Sequence, residues 1–129
     1  YERSDHAVTE EGLLSRYPYA FALGRLLLAE QPDWRPLVRE LRAFTPQTVH
    51  SASALEGLLT RVSADGLARQ CGEFRDDRGC IAVPIRAPDD GRLVAGLALA
   101  GPPARIAEPN GELVEVMRQH AERLAPLLA

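Results

Sequence analysis

Apolar positions along the chain change period twice, and these changes divide it into helical and extended stretches. Between Tyr19 and Gln31, Ala22, Leu23, Leu26, Leu27 and Glu30 follow helical spacing and the apolar members form one stripe, which predicts a helix ended by Pro32. Gly24 inside that stripe costs helix stability and points to a close backbone approach. Asp33 is a candidate N-cap for a second short helix, with Pro36 in its first turn and Leu37, Val38, Leu41 and Phe44 on its buried face. Thr45-Pro46-Gln47-Thr48 reads as a turn. A third helix is signalled by the capping-box spacing of Ser53 and Glu56, with Leu55, Leu58, Leu59 and Val62 on one face and Gly66 as its left-handed stop. Beyond Gly66 the period becomes two. Residues 67–74 and 80–86 read as strands around a charged turn at 75–79. Pro88-Asp89-Asp90-Gly91 carries hairpin turn chemistry, and residues 93–100 form an almost wholly apolar strand ended by Gly101-Pro102-Pro103. Leu113, Val116, Met117, His120, Leu124 and Leu127 mark a last helix. Helices, a three-strand antiparallel meander and a closing helix make the fold class α+β.

The hairpin has two unlike faces. Ile81, Val83, Ile85, Leu93, Ala95, Leu97 and Leu99 alternate onto a bulky face suited to a helix-packed core. Cys80, Ala82, Pro84, Val94, Gly96, Ala98 and Ala100 fall on the other, which is nearly all small, with Cys80 level with Ala98 or Ala100. Small side chains on a covered sheet face mean that something approaches closely. Two occupants fit: a helix packed near the backbone, or a ligand in a cavity floored by the sheet.

Composition narrows the function by exclusion. The chain of 129 residues has 46% hydrophobic and 26% charged residues, as a single globular domain does, and only 5% aromatics, so its core rests on Leu, Val, Ile and Ala. Ten prolines and ten glycines are scattered as punctuation. A net charge of −3, with dispersed cations that are all arginine, argues against a nucleic-acid surface. No apolar run is long enough to span a bilayer, no signal-peptide pattern opens the chain, and two cysteines make no disulfide framework, so a reducing cytoplasm is expected. Residues 1–12 are polar and aperiodic.

Hydrolase, kinase, zinc-protease and dinucleotide motifs are absent. His6, His50 and His120 are far apart. Cys71 and Cys80 lie on neighbouring strands with alternation placing them on opposite faces, which does not suit a shared metal. Cys80 as a nucleophile lacks any local signature and reads as a small apolar filler. Asp76-Asp77 and Asp89-Asp90 sit in solvated turns. No enzyme, no metal and no cofactor is expected.

Cys80-Ile81-Ala82-Val83-Pro84-Ile85-Arg86, followed after a turn by Gly91-Arg92-Leu93-Val94-Ala95-Gly96-Leu97-Ala98-Leu99-Ala100-Gly101-Pro102, resembles the C-terminal effector-binding domain of IclR-type bacterial transcription regulators. Ala20-Phe21-Ala22-Leu23-Gly24-Arg25-Leu26-Leu27-Leu28-Ala29 is similar to that family's Ala-x-Gly-(Lys or Arg)-x-Leu-Leu-Ala helix. Phe44-Thr45-Pro46-Gln47-Thr48 resembles its Tyr-Thr-x-x-Thr turn, and Gly66-Leu67-Ala68-Arg69-Gln70-Cys71-Gly72-Glu73 its Gly-Tyr-x-x-Asp-x-Gly-Glu strand. The likeness spans residues 19–128, so residues 1–18 are set apart as a polar arm or remnant of the domain start and 19–129 as the effector-binding domain.

The resemblance implies a GAF-like α+β sensor of a small organic metabolite, typically a carboxylic acid. It also implies a homodimer or tetramer, with DNA binding in a separate helix-turn-helix domain rather than through this chain. Carried over residue by residue, the family's pocket positions fall on Ala22 and Leu23 at a helix start, on Gln70, on Cys80, and on Ala98 and Ala100. Backbone N–H groups at a helix start favour an anion, in agreement. The family often has serines where Ala98 and Ala100 stand and an acid where Gln70 stands. Each lost hydroxyl bond is worth about 0.5–1.5 kcal/mol, which shifts the expected ligand toward a more apolar or aromatic acid. Arg78-Gly79 stands in place of the family's usual Gly-Val-x before the cysteine, and Arg78 either reaches a carboxylate or sits in solvent. The family's opening strands are not recognisable before Gly12, so the chain is a fragment, a shortened homologue or a partial listing of a longer one. The competing reading is an assembly module whose pocket is filled by side chains such as Leu23 and Val94.

Overall fold

The computed structural model describes residues 12–107 and 111–129. Residues 12–16 are helical and lead through Tyr17 into a 3-10 turn, Pro18–Ala20. Helix α1 (Ala22–Glu30) follows, then a 3-10 turn at Arg35–Leu37, an irregular stretch, and α2 (Ala52–Asp65). The sheet is β1 (Ala68–Cys71), β2 (Gly79–Arg86) and β3 (Leu93–Gly101), antiparallel in the order β1-β2-β3. A short helix α3 (Pro103–Ala107) and the long α4 (Gly111–Leu128) complete the chain. The α+β class holds, with three strands among the described residues. No helix among the described residues is long and apolar enough to cross a membrane.

The sheet separates two layers. On one face Ile81, Val83 and Ile85 pack with Ile106 of α3 and with Val114, Met117, Ala121 and Ala125 of α4. On the other, Ala68 and Ala82 lie against Ala22 and Leu26 of α1 and Val62 of α2. A third cluster, built on Tyr17, Tyr19, Leu28, Trp34, Leu55 and Leu59, joins α1 to α2 and to the segment before it. Tyr17, 3% exposed, sits in this cluster with Leu13 packed against it. Of residues 1–18, set apart as a polar arm or remnant of the domain start, residues 1–11 lie outside the described residues.

Several expectations are not met. The second helix does not form: Asp33 Oδ1 accepts the backbone N–H of Arg35 at 3.1 Å and its Nη1 at 3.3 Å, and a single 3-10 turn results with Leu37 48% exposed. The cap of α2 is Ser51, whose Oγ accepts the N–H of Ala54 at 3.3 Å, two residues before the proposed box. Gly66 closes α2 as expected, at φ 69°. β1 has four residues because Gly72, at φ 67°, turns the chain out of the sheet. A bulge between Ile85 and Arg86 pairs Arg86 with Leu93 and Ile85 with Ala95, leaving Val94 as the extra residue. Leu93 therefore joins the α1 face and Val94 the α4 face, opposite to strict alternation. In α4, Val116, His120 and Leu127 are exposed, and the buried stripe is Val114, Met117, Ala121 and Ala125.

Gly24 is explained by contact. A Cβ there would stand 2.1 Å from the carbonyl oxygen of Pro18 and 2.6 Å from its Cα, backbone atoms that cannot move aside without unseating the 3-10 turn. Gly57 in α2 has nothing within 4 Å of the same position. Gly24→Ala is expected to cost about 1–3 kcal/mol or more in urea unfolding. Gly57→Ala, which relieves only backbone entropy, is expected to gain about 0.4–1 kcal/mol.

Candidate functional site

The register places the expected residues in rows. Gln70 pairs with Cys80 and Cys80 with Ala100, so one row crosses all three strands; the next row runs Ala68, Ala82, Ala98. These rows share the face that α1 covers in part. Glu30 at the end of α1 meets Arg86 at 2.5 Å, and Leu23 lies over Gly96, where a Cβ would come within 2.5 Å of Leu23 Cδ2. Because Arg86 and Gly96 sit toward one end of the hairpin, α1 points its first turn toward the other end, where Cys80, Ala98 and Ala100 stand. Of the two occupants considered for the small face, the packed helix is α1. α1 covers Ala68, Ala82 and Gly96, whereas Ala98 and Ala100 are exposed and Cys80 is half-buried.

The first turn of α1 has no side-chain cap: Phe21 at the N-cap offers no side-chain hydrogen bond. The N–H groups of Ala22, Leu23 and Gly24 carry the positive end of the helix dipole without a neutralising carboxylate. Gln70 is 6% exposed, and its Oε1 accepts the N–H of Glu73 at 3.0 Å, which leaves its amide NH2 as the polar group of the row. Arg78 is exposed in the turn before β2, beyond the end of the row. Leu23 also borders an apolar recess of about 240 Å³ beside β3, shared with Leu14, Leu26, Leu27, Leu93 and Gly96.

Cys80 faces α1, whereas Cys71 packs with the α4 cluster, so the two thiols lie on opposite faces of the sheet. Burial raises the pKa of each. For Cys80 a backbone hydrogen bond with Leu99 partly offsets the burial; at Cys71 the Glu73 carboxylate adds to it. A thiol held protonated at neutral pH is a poor nucleophile. Among the described residues no group of three or more His, Cys, Asp or Glu is arranged to hold a metal.

Sequence reasoning missed the groups that hold this site together. Arg25, 0% exposed, donates from Nε to the Tyr19 carbonyl at 2.7 Å and from one terminal nitrogen to the Arg69 carbonyl at 2.7 Å. Both its terminal nitrogens bond Glu73, at 3.1 and 2.5 Å. Glu73 also accepts the N–H of Cys71 at 3.2 Å and of Val49 at 3.4 Å. Thr45 Oγ1 donates to the Gly72 carbonyl at 2.6 Å and Thr48 Oγ1 to that of Glu73. The sequence signal was a lone charge, Arg25, at a position whose neighbours on the stripe are all apolar.

Residues 7–125 match the family described as bacterial transcriptional regulator IclR C-terminal, and the chain belongs to that family. The family is one of transcriptional regulators, not of enzymes. A comparison with curated proteins gives no match. Among solved structures, protein RHA06195 from Rhodococcus sp. RHA1 is 26% identical with a TM-score of 0.75, over 84% of this chain and 46% of its own. The IclR of Thermotoga maritima is 26% identical with a TM-score of 0.68, over 85% and 46%. An IclR homolog of Microbacterium hydrocarbonoxydans, solved with 4-hydroxybenzoate, is 29% identical with a TM-score of 0.72, over 85% and 45%. The chain thus spans a little under half the length of these relatives.

Removing Glu73 strands a buried guanidinium. Glu73→Ala is expected to cost about 3–5 kcal/mol in urea unfolding, and the paired change Arg25→Met with Glu73→Met less than Glu73→Ala alone.

Proposed function

We propose that this domain senses a small aromatic carboxylic acid, held with its carboxylate at the first turn of α1 and its ring over Cys80, Ala98 and Ala100. The carrying observation is the row in which exposed Ala100 and half-buried Cys80 stand beside buried Gln70, at the end of the hairpin toward which the uncapped start of α1 points. The helix end supplies N–H donors for an anion, and the apolar floor has no hydroxyl to reward a hydrophilic one. The 4-hydroxybenzoate complex of the 29% identical relative supports this class of ligand. Arg78 faces solvent and takes no part. The wider reading is of a cytoplasmic regulator in which a helix-turn-helix domain binds DNA and copies of this domain associate as a dimer or tetramer. Ligand and DNA are then linked only as far as the ligand prefers one arrangement of the domains over another.

4-Hydroxybenzoate at about 100 times its dissociation constant is expected to add about 2.7 kcal/mol of stability in a thermal-shift measurement. Ala98→Trp, a change at an exposed position, is expected to remove that gain without lowering the ligand-free melting temperature, and Arg78→Gln to leave it unchanged. A gain undiminished by Ala98→Trp would take the ligand away from the row.

The two cysteines give an independent check. Iodoacetamide is expected to alkylate both slowly at pH 7, and saturating 4-hydroxybenzoate to slow Cys80 further while leaving Cys71, on the opposite face, unaffected. Equal protection of both thiols would mean general stabilisation in place of a site at Cys80.

A further inference from the structure

Past Ala82, β2 has no partner on the side of β1, because β1 pairs only with residues 79–82. A recess of about 350 Å³ opens beyond that point, between Pro84 and Arg86 of β2, Pro88 of the following turn, and the second half of α4. Its α4 wall includes Ala121 and Ala125, buried residues whose short side chains bring the helix close to the sheet and leave room beside it. Two charged groups of the recess lack a charged partner. Arg118 donates from Nη2 to the Asp65 carbonyl at 2.8 Å, at the end of α2, and forms no ion pair among the described residues. Its Nε and Nη1 remain as donors. Glu122, one turn further along α4, is exposed and makes neither an ion pair nor a hydrogen bond among the described residues. Arginine four residues before glutamate is the less favourable order for pairing along a helix, and the Asp65 carbonyl draws Arg118 away. Arg86, by contrast, is matched: its Nη2 meets Glu30 Oε1 at 2.5 Å and its Nη1 the Gly91 carbonyl at 3.1 Å.

We propose that this recess is a second ligand site, separate from the row at Cys80, and that it takes a free amino acid with an aliphatic side chain. The carboxylate meets Arg118, the ammonium meets Glu122, and the side chain lies against Pro84 and Pro88. The volume falls in the range of small-molecule pockets. Charge decides the class. A simple carboxylate would satisfy Arg118 but face Glu122 as a like charge, and a simple amine would do the reverse. An α-amino acid matches both, because its two charged groups diverge from one carbon toward residues whose Cβ atoms stand about 5–6 Å apart. Pro84, Pro88 and the two alanines supply an aliphatic wall with no aromatic ring for a flat ligand to stack on. None of Cys80, Ala98 and Ala100 borders the recess, so this site and the aromatic-acid site can each fail without the other.

The test is a titration of the full chain followed by two-dimensional amide NMR, with L-valine, 3-methylbutanoate and isobutylamine as probes. The second probe lacks the ammonium and the third the carboxylate. L-Valine is expected to shift the amides of Arg86, Ala87, Arg118 and Glu122 saturably while those of Cys80 and Ala98 stay in place. Each of the other probes is expected to bind about tenfold or more weakly, through loss of one charge-assisted contact. Glu122→Gln alters an exposed side chain without partners, so the fold is kept, and it is expected to bring L-valine down to the affinity of 3-methylbutanoate. Ala98→Trp, which blocks the row, is expected to leave L-valine binding unchanged. Shifts that never saturate would overturn the site. Equal affinity for the three probes, or a preference for L-valine that survives Glu122→Gln, would overturn the charge pairing. Saturable shifts confined to Cys80 and Ala98 would put L-valine in the row and leave no second site.

Discussion

The buried pair of Arg25 and Glu73 is the constraint on which the rest of the structure depends. A guanidinium out of contact with water is costly unless its charge is matched and its donors are filled, and here one carboxylate and two backbone carbonyls meet both needs. Those partners come from separate parts of the chain: the 3-10 turn at Tyr19, β1 at Arg69, and the turn after β1 at Glu73. Glu73 in turn gathers the N–H groups of Val49 and Cys71, and the Thr45–Thr48 turn is tied to the same backbone. The pair therefore fixes the start of α1 relative to β1 and to the segment entering α2. Apolar packing alone is non-directional and would hold α1 on the sheet without setting where its first turn lies.

That fixed position is what gives the small face its two halves. α1 sits so close that Gly24 meets Pro18 backbone on one side and Leu23 meets Gly96 on the other. Ala68 and Ala82 are short because the helix is above them. Ala98 and Ala100 have no such cover, and neither does the edge of Cys80 that faces them. A helix start held in register over an uncovered row of short side chains needs little rearrangement to receive an anion with an apolar body, and pre-organisation of that kind lowers the ordering cost of binding.

The elements most legible in the sequence were those whose signal is local. The α1 stripe, the stop at Gly66, the strand at Ile81, Val83 and Ile85, and the hairpin turn at Gly91 each follow from a few neighbouring residues. Alternation put Cys80 level with Ala98 or Ala100 without choosing between them, and Gln70 entered only through the family resemblance; the pairing register is what joins Gln70, Cys80 and Ala100 in one row. What failed was decided at a distance. Strict alternation could not foresee the bulge that turns Leu93 and Val94 over. The residues after Asp33 follow Trp34 and Phe44 into the aromatic cluster instead of forming a helix. In α4 the apolar residues cover more than one face of the helix, so periodicity alone did not say which face the sheet would take. Arg25 and Glu73 stand 48 residues apart, and no local pattern joins them.

The same geometry limits how a ligand held as proposed at the row would be felt elsewhere. Leu23 is already in contact with the backbone at Gly96, so α1 has no slack to slide toward β3. Its far end is held by Leu28 in the aromatic cluster and, at the surface, by Glu30 and Arg86, whose side chains are 34% and 42% exposed. A ligand drawing on the first-turn N–H groups therefore pulls on the segment that carries Arg25, and displacement of Arg25 must either break its bonds to Glu73 or carry Glu73 along. Breaking them is expensive in a buried site. Carrying Glu73 along moves the end of β1 and the Val49 segment that leads into α2, while the α4 layer, on the other side of the sheet, keeps its packing. A signal from this site should thus travel along the α1–β1–α2 side of the domain.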